Sequence, residues 1–229
     1  QIFRYGKSRI LDGVPAAVYF TKTAGLLSDV YRDLVDIGSP DLRPFVFGSA
    51  KEAAITDSDG KVVFALPSKS EVKRVLDYIE KNGKLPDEYD YVLTTYSQVS
   101  NGVYEFDENG ARKEKKLAKG KTFGAAALSG QRRRDAIEKL MGNAYLILDE
   151  SHTAGGNSGQ GNYFQHIIQN AKNVTFFSAT FAKRPDNMPI YALRTAMNEG
   201  GMKSSDLIDA VKRGLARNAP WCRFFQSRR

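Results

Sequence analysis

The chain has 229 residues, 41% of them hydrophobic, and a net charge of +8, which suits one large domain or two small ones with a real core. No stretch reaches the roughly 18 consecutive apolar residues of a membrane-spanning helix and no apolar signal-peptide core is visible, so the expectation is a soluble, intracellular protein without a membrane partner. One cysteine, Cys222, and two histidines exclude an internal disulfide and a Cys/His zinc site.

Along the chain, apolar spacing predicts a helix over residues 1–11, a break at Gly13-Val14-Pro15, and a strand Ala16-Ala17-Val18-Tyr19-Phe20 that is apolar throughout, as when both faces are buried. Leu26, Leu27, Val30, Leu34, Val35 and Ile37 then recur at helical spacing until Gly38. Residues 43–47 read as a short strand. Asp57-Ser58-Asp59-Gly60, between apolar flanks, reads as the turn of an inserted hairpin. A helix opening near Ser70 with Val72, Val75, Leu76 and Ile79 on one face ends at Asn82-Gly83, and residues 89–95 form the next buried strand.

Beyond Tyr96 the pattern dissolves. Nine basic residues between Arg112 and Arg134 face Glu114 alone, a local balance of +8, so residues 100–130 are expected to be a long basic loop, poorly ordered. A basic loop suits a polyanion partner or a solvated surface, and both readings stay open. A helix over about 131–141, the strand Ala144-Tyr145-Leu146-Ile147-Leu148, a helix over about 163–171 and the strand Val174-Thr175-Phe176-Phe177 follow. Phe176 and Phe177 are expected in the core. Two helical stretches, residues 190–199 and 205–213, precede an irregular basic tail over 215–229. Strands alternating with helices predict an α/β fold with a mostly parallel sheet.

In such sheets ligands gather at the carboxyl ends of the strands, where loops and helix amino termini converge. Thr21-Lys22, Thr94-Thr95-Tyr96, Asp149-Glu150-Ser151-His152 and Ser178-Ala179-Thr180 all fall at predicted strand ends, so they should share one rim. Asp149 suits a magnesium ion held through its water shell, and Glu150 suits orienting or deprotonating an attacking water. His152 is placed to link that site to the Ser178 loop by hydrogen bonds.

These residues also carry a resemblance. Asp149-Glu150-Ser151-His152 followed by Ser178-Ala179-Thr180 resembles the Walker B and Ser-Ala-Thr motifs in the first motor domain of superfamily-two helicases. The segments Tyr31-Arg32-Asp33-Leu34-Val35-Asp36-Ile37-Gly38, Thr94-Thr95-Tyr96-Ser97 and Ser178-Ala179-Thr180-Phe181-Ala182-Lys183-Arg184-Pro185-Asp186-Asn187-Met188 are similar to the strawberry notch type of helicase-like ATPase. The resemblance covers residues 1–214. It implies a RecA-like P-loop NTPase domain, three-layer α/β/α, that couples Mg-ATP hydrolysis to nucleic acid, DNA or RNA, with DNA the first choice. It also implies backbone contacts from Thr21, Lys22, Thr95, Tyr96 and Arg184, and a second motor domain in a larger polypeptide or assembly, which could be phage- or plasmid-encoded.

One departure is plain: the phosphate-binding loop ending Gly-Lys does not appear. Gly120-Lys121-Thr122 imitates its end, but Lys115 stands where the leading glycine belongs. The expectation is a chain that starts just past that loop and is inactive alone. The alternative is a non-catalytic nucleic-acid-binding or structural remnant of such a motor.

Overall fold

A computed structural model of the chain describes residues 16–38, 41–49, 51–107, 111–156, 158–178, 187–194 and Asp209. Five short segments pair side by side, four of them so hydrophobic on both faces that they lie between two layers, with the half-buried fifth at one edge. They are β1 (Ala16–Thr21), β2 (Pro44–Phe47), β5 (Tyr91–Thr95), β8 (Ala144–Leu148) and β9 (Asn173–Phe176), in the order β2-β5-β1-β8-β9. Every pairing is parallel, with Thr21 opposite Thr95, Phe20 opposite Leu148, and Leu148 opposite Phe176.

The strand period of two divides the core. Val18, Phe20, Phe45, Val92, Leu146 and Leu148 face one side, packed under α2 (Lys69–Asn82), α3 (Ala125–Met141), α4 (Gly159–Asn170) and α5 (Met188–Ala192). Ala17, Val46, Leu93 and Ile147 face the other, under α1 (Leu26–Asp36) and a hairpin of β3 (Ile55–Thr56) and β4 (Val62–Phe64). The result is an α/β fold, a parallel sheet between helices.

Local chemistry sets the helix ends. Ser68 accepts a hydrogen bond from the Glu71 amide at 3.1 Å to cap α2, and Gly83 closes it at φ +67°, where a side chain would be strained.

The stretch 100–130 is not the unbroken loop that its composition predicts. Tyr104–Phe106 (β6) and Arg112–Glu114 (β7) form an antiparallel ribbon, and α3 begins at Ala125. Ion pairs Lys113–Asp107 and Lys115–Glu105 hold the ribbon, and Arg112 reaches across to Asp135 and Glu138 of α3. Lys113 and Lys115 thus pair within the ribbon, and Arg112 ties it to carboxylates distant in sequence. Phe176 is half-buried, while Phe177 is 37% exposed, so only the first belongs to the core. The expected helix over 1–11, the 205–213 helix apart from Asp209, the tail and much of 190–199 lie outside the described residues.

Candidate functional site

Each sheet strand ends on the same rim, which places Ser49, Ser97, Thr21, Asp149 and Ser178 in a row above β2, β5, β1, β8 and β9. The centre of that row is Asp149. Its amide donates to the Phe20 carbonyl at 2.9 Å, which continues the β1–β8 ladder one residue past the strand. Its carboxylate accepts from the Thr21 hydroxyl at 3.2 Å and from the Glu150 amide at 3.0 Å. The Tyr19 phenol lies near it, and burial together with the Asp149 charge pushes that phenol well above its ordinary range. The Thr21 hydroxyl and the Glu150 amide are therefore neutral donors that fix the carboxylate without cancelling its charge.

Glu150 is the only residue other than glycine with positive φ among the described residues, at φ 49° and ψ 45°. The left-handed conformation costs about 1–2 kcal/mol for a side chain of this kind. It turns the chain sharply off β8 into a 3₁₀ turn, Ser151–Ala154, and leaves the Glu150 carboxylate half-exposed. His152 Nδ1 lies 3.1 Å from Glu150 Oε2 and 3.1 Å from Ser178 Oγ. A protonated Nδ1 donates to either oxygen, whereas an unprotonated Nδ1 is served only by the Ser178 hydroxyl. Beneath them Ser151, fully buried, shares a 2.9 Å hydrogen bond with the Tyr191 hydroxyl, and its amide donates to the Phe177 carbonyl.

The structure thus brings Thr21, Asp149, Glu150, His152 and Ser178 together. Ala179, Thr180 and Arg184 lie outside the described residues. Lys22 is exposed beside the site. The others expected on a nucleic-acid backbone have inward roles. Thr21 is fully buried and spends its hydroxyl on Asp149, and Thr95 is 5% exposed with its hydroxyl 2.8 Å from Ser97 Oγ. Tyr96 is 2% exposed, its ring packed on Phe20 and Phe164 and its hydroxyl donating to the Asp149 carbonyl at 2.8 Å. No face of that ring is left to stack on a base. Tyr19 and Tyr191 were not legible as site residues, because both sit in apolar runs and only strand adjacency and tertiary packing aim their hydroxyls.

No Lys or Arg among the described residues pairs with Asp149 or Glu150, although the chain carries 34 of them. Nor do three His, Cys, Asp or Glu side chains converge into a metal cage among those residues. A single unneutralised carboxylate with hydroxyls around it fits magnesium, which keeps most of its waters and takes one or two carboxylates plus substrate phosphates. Gly120-Lys121-Thr122 sits in an exposed turn between β7 and α3, away from any strand end of the sheet. Comparison with protein-family models, curated proteins and solved structures finds no match.

Proposed function

We propose that this chain carries the magnesium-and-water half of a nucleotide-hydrolysing site, in a RecA-like motor domain of a nucleic-acid-dependent ATPase of the strawberry notch type. The observation that carries the reading is the pair Asp149 and Glu150, two carboxylates with no lysine or arginine partner among the described residues, on the carboxyl rim of a parallel sheet. Magnesium, when bound through Asp149, would draw charge from the nucleotide's phosphates.

The chain's own residues divide the remaining work. Thr21 and the Glu150 amide hold the Asp149 carboxylate in one orientation. Glu150, turned outward by its backbone, orients a water and takes its proton. His152 ties Glu150 to the loop after β9, so a change at that loop reaches the base. A nucleic-acid strand, DNA in the first instance, is the proposed regulator, and the chain would act inside the cell as part of a larger motor.

Magnesium-dependent ATP turnover by the natural gene product, with and without single-stranded DNA, tests this reading. Glu150→Gln should lower turnover about 100-fold or more while leaving the fold intact. Turnover unchanged by that substitution would overturn the assignment.

A further inference from the structure

Between α2 and α3, at the β2 end of the same rim, lies a groove of about 600 Å³. Lys69, Lys73, Arg132 and Arg133 line it together with the hydroxyl residues Ser49 and Ser129, and no acid does. The adjoining cavity under the β6–β7 ribbon, about 670 Å³, is different: Glu80, Asp135 and Glu138 accompany Arg112, Arg132 and Lys139, so its charges balance.

Arg133 is the decisive group. It is half-buried, its Nη1 donates to Gln98 Oε1 at 2.5 Å, and its Nε is buried without a hydrogen-bond partner. Gln98 is itself oriented by donating to Ser49 Oγ at 3.2 Å. No carboxylate among the described residues pairs with Arg133 or with Lys69, and burial alone pulls the Arg133 guanidinium below its ordinary range. Lys73 and Arg132 share Asp77, which leaves one positive charge over. A half-buried guanidinium with no anion among the described residues is a costly arrangement that a bound anion would relieve. Phosphate suits a cluster of guanidinium and ammonium donors such as Arg133, Arg132, Lys69 and Lys73. Leu76 and the 55% exposed Leu128 add an apolar wall beside the cations.

We infer that this groove binds a phosphate group carried on an apolar or ring-bearing body, the chemistry of a nucleotide, free or within a strand. The strand form rests on the ATPase reading above and gives its nucleic acid a place to lie. Three strand spacings, about 14 Å, separate the groove from Asp149, so it is a second site and not an arm of the first.

The test titrates a short 5′-phosphorylated thymidine oligonucleotide and thymidine monophosphate, separately, at two salt concentrations without ATP. Arg133→Gln should weaken binding at least tenfold. Lys69→Ala, at an exposed position that leaves the fold alone, should weaken it severalfold and reduce the salt slope by about 0.7 for the strand. Binding of the oligonucleotide alone assigns the groove to a strand, and equal dependence of both probes on Arg133 assigns it to a free nucleotide. No binding, or binding identical in wild type and both variants, overturns the proposal. Glu150→Gln should bind as wild type does, which separates a failed groove from a failed hydrolytic site.

Discussion

The loop after β8 and the arginine triplet of α3 are both short runs of like charge, and they dispose of that charge in opposite ways. Asp149 and Glu150 stand on the rim with hydroxyls, an amide and an imidazole around them, and no lysine or arginine partner among the described residues. In the triplet, Arg132 pairs with Asp77 at the surface, while Arg134 is 1% exposed and donates to the carbonyls of Val99, Ser100 and Tyr104 over the ring of Tyr163. One run keeps its charge available and the other is largely consumed by folding. Only Arg133, between the two, escapes. A charge run in a sequence therefore says little until its counter-ions are known.

The sharpest way to break this contrast is to remove the arginines singly. Arg134→Met strands three carbonyls and should lower the unfolding free energy in urea by about 3–5 kcal/mol, whereas Arg132→Met should change it by less than about 1 kcal/mol. Equal losses would show that burial does not distinguish them. A smaller effect of opposite sign is expected in the acidic loop. Glu150→Gly removes the left-handed strain and should raise stability by about 0.5–1 kcal/mol after glycine's own entropy is counted, while abolishing turnover. A variant no more stable than wild type would mean the loop is not held under strain.

The smallest effect concerns Glu138, whose carboxyl is held below its ordinary value by the hydrogen bond from His166. A depressed value in the fold means stabilisation that is fully present above the ordinary 4.5 and fades as acid protonates the folded form. The stability gap between wild type and Glu138→Gln, under about 1 kcal/mol, should therefore narrow as the pH falls from 5 towards 3, as urea melts would read. A gap independent of pH would remove the pairing as its source.

The sheet was legible because strands buried on both faces are unbroken apolar runs, as in Ala144-Tyr145-Leu146-Ile147-Leu148. The ribbon was not. Its strands are three residues each, β7 is wholly exposed, and its support comes from Asp107, Asp135 and Glu138, which no local pattern connects to it. The first turns of α3 were hidden by Gly130, which breaks helical propensity. It is there because a Cβ at that position would stand 2.2 Å from the Asn101 carbonyl oxygen. In the site, Asp149 and Glu150 could be read from their place after a strand, but Tyr19, Tyr191 and the inward turn of Tyr96 depend on packing between distant segments.

The four-residue 3₁₀ turn Tyr96–Val99 ties these regions together. Tyr96 reaches the Asp149 carbonyl, Gln98 holds Arg133, and the Val99 carbonyl takes Arg134. Neither end of this turn can drift in sequence for the benefit of one partner alone. Natural variants should change it as a block or leave it untouched, and an engineer who wishes to retune the groove must accept a disturbance at the carboxylates.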